Sequence, residues 1–384
     1  MEHVVRPFIA AFSDVPDFRH AQGKRHRLPL VLTLVTLAMI NQQNTLGRIA
    51  AWVHGLGWQT RQRLHLRHNR VPSYATLRRV LLQVDTSALA QAFQAWVEEV
   101  LRAYFPTATW QGLAIDGKTL RGSADGDADL PALQVLNAMV HSLGVMLQSQ
   151  AIPAHTNELG TIRSFLEKMV LTGRIVSFDA LYTHPDLAQL IVDRNGHYLM
   201  RVKANQRHLL PAFDTWFQDT SPTQQPETCL YSTTVKGHGR LVQYTLRTTE
   251  ALNHYVQQEF HWPRVGQVFQ IQRRSLNLST GEVTTTTHYA ITSLKADQAD
   301  PPLLFRLWHQ HWDVENKGHW VLDTVFGEDR SHARKAHLPD ALSLMRKAVI
   351  TLFRLLGPDG ITRDRSCLSA NVSSALSFVG VPLE

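Results

Sequence analysis

The sequence predicts a mixed α/β protein in which a basic, all-helical region precedes the sheet-forming part. Three observations support this prediction. Apolar residues recur at helical spacing up to residue 104, strand periodicity begins after residue 106, and the excess positive charge lies in the helical part. With 384 residues and 44% hydrophobic side chains, the chain is long enough for two or three domains and has ample apolar surface for a core.

The first predicted elements are helices. Apolar spacing favours one or two helices over 28–53, with Pro29 suited to a first turn, and a longer helix over 86–104. A Phe-Pro-Thr-Ala-Thr break at 105–109 ends the helical pattern and predicts the first domain boundary.

A short helix inside this region carries two adjacent arginines. Ser73 stands at the position of an N-cap, and the amphipathic segment 74–81 that follows contains Arg78 and Arg79. Two interpretations stay open here, a DNA-recognition helix and a packing helix with exposed arginines, because helix-turn-helix patterns in one sequence are weak.

The net charge of +7 comes entirely from the N-terminal region. Residues 1–110 contain 13 basic and 6 acidic residues, which leaves 26 of each sign in the remainder, and no acidic residue lies between Asp17 and Asp85. Such a segment is either a solvated basic face or a surface for an anionic partner. Nucleic acid is favoured over a membrane surface, because the basic residues do not share one strongly amphipathic helix. The candidate DNA-binding residues here are Lys24, Arg25, Arg61, Arg63, Arg67, Arg70, Arg78 and Arg79.

After residue 106 the pattern changes to that of strands. The expected elements are strands over 112–116, 133–141 and 144–152, a helix over 159–170, a strand over 174–179, a helix over 185–194 and a strand over 197–202. This βββαβαβ order fits helices packed on a mixed sheet. Strand patterns return over 230–294, with turns at 237–239 and 279–281, and a helical region over 302–356 follows. The last two dozen residues show no clear pattern.

Several protein classes are excluded by features that the sequence lacks. The longest apolar stretch, 28–40, is shorter than the roughly 20 residues that a membrane helix needs, and no secretory signal is recognisable, so a cytosolic protein is expected. Cys229 and Cys367 lie far apart, without a CxxC motif, and are expected to be reduced, buried thiols. The absence of a P-loop, GxGxxG, HExxH or GxSxG motif excludes kinase and dehydrogenase functions.

Two aspartates end apolar strands and are the first candidates for chemistry. Asp116 ends Leu-Ala-Ile-Asp and Asp179 ends Ile-Val-Ser-Phe-Asp. A carboxylate at such a position is costly unless it is hydrogen-bonded, paired or metal-bound, and each aspartate alone is as readily a capping or turn residue. On adjacent parallel strands the two side chains would converge at one edge of the sheet, which favours a site for a hard metal ion.

The closing helical region offers a third acid. Glu315 is the first candidate, and Asp323 is the next acid on the same helix face. A zinc site also stays open, because His311, Glu315 and His319 share a face at i, i+4 and i+8. The strand-end aspartates favour magnesium instead, since they supply harder oxygen ligands. Three carboxylates from distant segments can hold two Mg²⁺ ions about 4 Å apart, as in metal-assisted phosphoryl transfer.

Short motifs occur in order along the chain. They are Asp116-Gly-Lys-Thr-Leu-Arg-Gly, Thr156-Asn-Glu-Leu, the run to Asp179-Ala, Tyr198-Leu-Met-Arg-Val-Lys203-Ala-Asn205-Gln206, Gly237-His-Gly-Arg240, Tyr289-Ala-Ile-Thr-Ser-Leu, and His311-Trp-Asp-Val-Glu315-Asn with the segment that continues to Ser331. Together they resemble the H-repeat-associated DDE transposases of bacterial insertion sequences. The N-terminal segments Val15-Pro-Asp-Phe-Arg and Thr76-Leu-Arg-Arg-Val-Leu resemble the domain associated with that family. The resemblance covers nearly the whole chain.

The resemblance implies a ribonuclease-H-like catalytic core interrupted by a β-rich insertion. It implies a helical DNA-binding domain over 1–106, core segments over 107–206 and 301–384, and the insertion over 207–300. Carried over by position, the catalytic and metal-binding triad is Asp116, Asp179 and Glu315, holding two Mg²⁺ ions for which Mn²⁺ can substitute. Four further residues match positions near the family's active site, where they would contact the DNA backbone, with structural hydrogen bonding at a strand end as the alternative; they are Lys203, Asn205, Gln206 and Arg240.

Four positions depart from the family's pattern. His184 replaces a glutamine, Val242 and Tyr244 replace a glutamate and an arginine, and His309 replaces an arginine. All triad carboxylates are retained, so metal binding is expected to persist, whereas loss of the arginines is expected to weaken the positioning of DNA.

The function predicted from the sequence is a DNA transposase that binds terminal inverted repeats and catalyses metal-dependent strand cleavage and strand transfer. Its partners would be double-stranded DNA, as transposon ends and target, and a second copy of the chain, with a cytoplasmic, nucleoid-associated location and no membrane. The first alternative is a catalytically impaired, transposase-derived DNA-binding protein, which the four departures motivate. The second is a general ribonuclease-H-like nuclease that cuts without preference for specific ends.

Overall fold

The computed structural model describes residues 5–105, 111–126, 130–219, 228–237, 239–357 and 359–381. Their contacts divide the chain into two compact units. The first contains 1–108, 117–156 and 313–384, and the second contains 109–116 and 157–312. The four-part division inferred from the sequence stays a prediction.

The helices are α1 (Phe8–Ala11), α2 (Leu28–Ile40), α3 (Leu46–His54), α4 (Trp58–Arg63), α5 (Tyr74–Gln83), α6 (Thr86–Tyr104), α7 (Glu158–Glu167), α8 (Pro185–Asp193), α9 (Leu209–Asp219), α10 (Asn253–Phe260), α11 (Pro301–Gln310), α12 (Trp320–Thr324), α13 (Leu338–Leu356), α14 (Ile361–Ala370) and α15 (Val372–Phe378). The strands are β1 (Gln111–Leu120), β2 (Leu133–Val140), β3 (Val145–Ala151), β4 (Arg174–Phe178), β5 (His197–Val202), β6 (Thr228–Gly237), β7 (Arg240–Thr249), β8 (Gln267–Asn277) and β9 (Val283–Thr292).

The described N-terminal region of the first unit is helical, as the sequence predicts. The apolar sequence of α2 is buried on nearly all sides, with Pro29 in its first turn. Ser73 caps α5 by accepting a hydrogen bond from the backbone N–H of Thr76 at 3.2 Å. Asp85 caps α6 in the same way, from the N–H of Ala88 at 3.0 Å. The largely buried α13 packs against α2, α5, α6 and β3, and forms the core of this unit.

The strands form a mixed sheet, and β1 contributes residues to both units. The strand order is β3-β2-β1 in the first unit and β1-β4-β5-β9-β8-β7-β6 in the second. The pairs β1–β4 and β4–β5 are parallel, whereas β2–β3 and every pair from β5 to β6 are antiparallel. The predicted βββαβαβ order of elements is therefore confirmed as far as β5.

The β-rich segment differs from the sequence interpretation in one respect. Its strands continue the edge of the sheet through β9, and two helices that the strand pattern did not predict, α9 and α10, lie beside them. Helix α9 buries Leu209, Phe213 and Phe217 at a spacing of four residues. Helix α10 buries only Val256, so it carries little periodic signal. The strands share their apolar core with α11, which contributes Trp308 among others.

The structure adds detail to two sequence interpretations for the rest of the chain and contradicts a third, the burial of the cysteines. The helical region over 302–356 is divided into α11, a π-helical segment Val314–His319, α12 and α13. The last two dozen residues contain α14 and α15, where α14 has a polar sequence that gives no apolar stripe. Both cysteines are free but exposed rather than buried: Cys229 lies on the sheet-edge strand β6 and Cys367 on α14. Among the described residues, no helix is long and apolar enough to cross a membrane.

Candidate active site on strand β1 and after strand β4

The two aspartates singled out in the sequence lie at neighbouring positions of the second unit. Strands β1 and β4 are parallel, and Ile115 pairs with Phe178. The next residues are Asp116, which lies within β1, and Asp179, which directly follows β4, so the two aspartates lie side by side on adjacent parallel strands. Strand β1 continues to Leu120, so the expectation that Asp116 ends its strand is wrong. The sequence analysis favoured a hard-metal site if the two strands are adjacent and parallel. Strands β1 and β4 meet this condition.

Asp179 is surrounded by cations of the second unit. The Nζ atom of Lys203 lies 2.9 Å from Oδ1 and 3.0 Å from Oδ2 of Asp179, and Nη1 of Arg201 lies 3.7 Å from Oδ1. Burial acts to raise the pKa of Asp179, but the Lys203 hydrogen bond, the backbone N–H of Ala180 and the two positive charges outweigh burial and lower it. The carboxylate is therefore held in its ionised form, ready to act as a ligand for a cation.

The loop after Asp179 is held by side chains from the end of β5. Asn205 donates to the carbonyl of Ala180 at 2.7 Å, and Gln206 donates to the carbonyl of Thr183 at 2.6 Å. Both amides thus make structural hydrogen bonds at a strand end, the alternative that the sequence left open. Their assignment as DNA contacts stays a prediction.

Two residues of this site were missed by the sequence analysis. Tyr182, three residues after Asp179, is buried and donates from its hydroxyl to Oε2 of Glu158 at 2.8 Å. Burial raises the pKa of Tyr182, and the negative charges of Glu158, Asp116 and Asp179 raise it further. Glu158 belongs to the Thr156-Asn-Glu-Leu motif, so the sequence contained a signal for it but no indication of its role.

Glu315 lies in the first unit, exposed on the π-helical segment. Short π-helical segments inside helices are frequent at functional sites, because the extra residue changes the direction in which side chains project. In the same segment Lys317 pairs with Asp313 at 2.8 Å.

The possible zinc site is not formed. Nδ1 of His311 lies 2.9 Å from Oγ of Ser177, whereas Nε2 of His319 lies 3.3 Å from Nδ2 of Asn137, so each histidine has its own partner. Over the part of the chain that the structure describes, no group of three or more His, Cys, Asp or Glu residues could hold a metal ion. The donor chemistry of Asp116 and Asp179 nevertheless fits a hard cation, because two carboxylates lie at neighbouring positions of adjacent parallel strands.

Asp323, the other candidate for the third acid, belongs to a separate charge cluster of the first unit. Its two oxygens lie 2.8 and 2.9 Å from Nζ of Lys118, a buried residue. Lys118 also lies 3.6 Å from Asp329 and 4.0 Å from the buried Glu328, which pairs with Arg346 at 3.4 Å. Asp323 is therefore already engaged by a buried cation.

The candidate DNA-binding residues of the N-terminal region fall into two groups. Arg61 donates to the carbonyls of Leu56 and His54, at 2.7 and 2.8 Å, and Arg63 donates to the hydroxyl of Ser373. These two arginines support the local backbone and packing. The others are exposed, and they are Lys24, Arg25, Arg67, Arg70, Arg78 and Arg79. Arg240 of the second unit is also exposed, at the start of β7.

The departures from the family pattern have local structural contacts. The rings of Tyr244 and His309 lie 5.8 Å apart and at 87°, and both contact Phe305. Tyr244 and His309, which both replace an arginine of the family pattern, thus belong to one aromatic cluster. His184 caps α8 by accepting from the N–H of Asp186 at 3.3 Å, and Val242 pairs with a valine across β6 and β7.

Buried histidines predict a loss of stability in acid. Burial and the charges of Arg201, Lys203 and Arg273 lower the pKa of His288 to about 4, and burial lowers the pKa of His311 to about 4 against the opposing charge of Asp179. In the folded protein both pKa values lie below the ordinary value of 6.5, so protonation favours the unfolded chain. The free energy of unfolding is therefore highest above pH 6.5 and decreases as the pH falls towards 4.

We expect the free energy of unfolding in urea to fall between pH 7 and pH 4.5. His288→Gln is expected to make the free energy of unfolding depend less steeply on pH, because one protonation that destabilises the folded state is removed. An equal slope in wild type and variant would contradict this account of His288.

Comparison with known proteins identifies the family. A family model described as DDE_Tnp_1-associated matches residues 9–97, and one described as Transposase DDE domain matches residues 109–352. The chain is 26% identical over 354 residues to "Putative transposase YncI" of Escherichia coli O157:H7, covering 91% of this chain and 88% of that protein. It is 24% identical over 367 residues to "H repeat-associated putative transposase YhhI" of Escherichia coli K12, covering 92% and 89%.

A solved structure of piggyBac transposase, in a synaptic complex with hairpin DNA, aligns with 98% of this chain and 77% of that chain at 11% identity and a TM-score of 0.43. The Transposase DDE domain match alone spans more than half of the sequence, and it confirms the resemblance inferred from the motifs. The chain belongs to the DDE transposase family.

Proposed function

We propose that this protein is the transposase of a bacterial insertion sequence, which binds the terminal inverted repeats of its element and catalyses DNA strand cleavage and strand transfer. One observation carries the proposal: in a chain of the DDE transposase family, Asp116 and Asp179 follow paired residues on adjacent parallel strands. The βββαβαβ order of elements and the strand order around β1 agree with a ribonuclease-H-like core.

In this proposal Asp116, Asp179 and Glu315 hold two divalent metal ions, Mg²⁺ or Mn²⁺. DDE transposases generally use a divalent metal. When bound, the ions would activate water or a 3′-hydroxyl as nucleophile and stabilise the leaving oxygen of the phosphodiester. Glu315 is preferred to Asp323 as the third ligand because Lys118 already engages both oxygens of Asp323. No covalent link between protein and DNA is needed.

The residues of the chain would orient the reactants. The ionised carboxylate of Asp179 would exchange the ammonium group of Lys203 for a cation, which frees Lys203 to contact a DNA phosphate. The exposed basic residues of the N-terminal region would bind the duplex, with Arg240 as a further contact. Two copies of the chain would join two transposon ends, in the cytoplasm where the DNA lies.

The proposal is tested by mapping strand breaks. The purified protein is incubated with DNA that carries the ends flanking its own gene, in Mg²⁺, in Mn²⁺ and with a chelator. Metal-dependent breaks at the element ends are expected. Breaks spread equally over unrelated competitor DNA would favour a general nuclease instead, and end-specific binding without breaks in either metal would favour a catalytically impaired DNA-binding descendant.

The exposed arginines of α5 predict a test of sequence recognition. Replacing Arg78 and Arg79 together with alanine is expected to weaken binding to cognate ends more than binding to scrambled DNA, since each base-edge contact contributes about 1–3 kcal/mol of discrimination. Replacing Arg61 and Arg63 together is expected to affect both DNAs equally, and to lower the free energy of unfolding because Arg61 supports backbone carbonyls. Equal losses on both DNAs for both double variants would contradict a recognition role for α5.

A further inference from the structure

The turn that follows Asp179 couples this carboxylate to a buried tyrosine. Residues Ala180–Tyr182 form a single 3₁₀ turn, and the backbone N–H of Tyr182 donates to the carbonyl of Asp179 at 3.1 Å. A 3₁₀ turn closes a short ring through an i→i+3 hydrogen bond, so the backbone of Tyr182 is tied directly to that of Asp179.

The Tyr182 ring is fixed at both ends. Its centroid lies 5.6 Å from that of Phe178 on β4, and only 1% of the residue is exposed. Its hydroxyl donates to Glu158 in the first turn of α7, where Asn157 caps the helix by accepting from the N–H of Gly160 at 2.9 Å. Burial and the neighbouring carboxylates raise the pKa of Tyr182, so the hydroxyl keeps its proton and remains a donor. The ring thus links a capped helix to the turn that carries Asp179.

We propose that Glu158 is a positioning residue for Asp179, acting through the Tyr182 hydroxyl to hold the carboxylate in the orientation that receives a divalent cation. This inference rests on the proposed function. Asn205, in the turn after β5, holds the same turn through the carbonyl of Ala180. Hydrogen bonds that orient a metal ligand from behind are typically worth about 10- to 100-fold in metal affinity.

The second unit offers a matched control for the loss of one buried hydroxyl. Tyr198 on β5 is also buried, and it donates to the carbonyl of Pro263 at 2.8 Å, the same length as the Tyr182 bond. Tyr198→Phe and Tyr182→Phe each remove one oxygen and one hydrogen bond, and both are expected to lower stability by similar amounts. Only Tyr182→Phe removes a contact to the turn that carries Asp179.

The experiment titrates the full-length protein with Mn²⁺ and measures free Mn²⁺ by electron paramagnetic resonance. Tyr182→Phe and Glu158→Ala are each expected to raise the Kd for Mn²⁺ by about tenfold or more relative to Tyr198→Phe. Glu158→Gln is expected to stay within about threefold of wild type, because its amide oxygen still accepts from Tyr182. The Mn²⁺ concentration for half-maximal strand cleavage is expected to change in parallel, with little change in the maximal rate.

Three results would decide against the inference. Equal Kd values for Tyr182→Phe and Tyr198→Phe would overturn it, since the loss would then be a general effect of a missing buried hydroxyl. If Glu158→Gln binds Mn²⁺ as weakly as Glu158→Ala does, the negative charge of Glu158 is what matters, and the positioning role is wrong. If Asp179→Asn leaves Mn²⁺ binding unchanged, the metal assignment in the proposed function fails and the inference fails with it.

Discussion

Asp116→Asn, Asp179→Asn and Glu315→Gln are each expected to lower metal-dependent strand cleavage at the element ends by at least about a thousand-fold, which corresponds to roughly 4 kcal/mol of transition-state stabilisation. Each substitution keeps the shape of the side chain and removes the charge that a divalent cation needs. Binding to end DNA, measured in the same preparations, is expected to stay within about threefold of wild type, because the exposed basic residues of the N-terminal region are unchanged.

A matched control is Asp186→Asn on α8. Asp186 is a nearby aspartate in the chain whose side chain is 74% exposed and lies 3.6 Å from His184. Its cleavage rate is expected to equal that of wild type. Full cleavage by a folded Asp116→Asn protein would refute the assignment of Asp116 as a metal ligand. Full cleavage by Glu315→Gln alone would make Asp323 or Glu328 the third metal ligand.

Lys118→Met is expected to lower the free energy of unfolding of the first unit by about 3 kcal/mol. The Lys118 side chain is 7% exposed, and its ammonium group lies within 4.0 Å of Asp323, Glu328 and Asp329, so its removal leaves three carboxylates without that cation. Breaking a buried ion pair by removing one partner costs about 3–5 kcal/mol. We expect a loss at the lower end of this range, because the Asp323 and Asp329 side chains are 33% and 27% exposed and water stabilises their charges in part. The loss is measured as the free energy of unfolding in urea.

Arg121→Met is the control for this prediction. Arg121 approaches the same residue, Asp329, at 3.6 Å, but its side chain is 82% exposed, so its loss is expected to cost under about 0.5 kcal/mol. Adding Asp323→Asn to Lys118→Met is expected to recover part of the lost stability, since one uncompensated charge is removed. If Lys118→Met costs no more than Arg121→Met, the cluster contributes nothing to stability.

The sequence predicted helices and strands accurately wherever hydrophobic periodicity or a capping residue was clear. The helix over 86–104 and the strand over 197–202 have the predicted bounds, and Ser73 caps α5 as expected. Periodicity and capping act over a few neighbouring residues, so a single sequence contains them. Helix α10, with one buried residue, lacked that signal.

The sequence did not predict which charged and polar groups contact the residues of the candidate site. The sequence placed Asn205 and Gln206 near the site without showing that their amides hold the turn after Asp179. It placed Asp323 on the same helix face as Glu315 without showing that Lys118 engages both oxygens. Each of these contacts joins residues that are distant in the chain.

The sequence by itself determined the family, the two candidate aspartates and the concentration of positive charge in the helical N-terminal region, because motifs, strand periodicity and charge are properties of contiguous residues. Tertiary structure decided that Asp116 and Asp179 lie side by side on adjacent parallel strands, that the Tyr182 hydroxyl donates to Glu158, and that the cysteines are exposed. Lys118 and Asp323 are 205 residues apart in the chain. Which distant groups meet depends on strand pairing and on the cost of leaving a buried charge without a partner, and both are settled only when the whole chain folds.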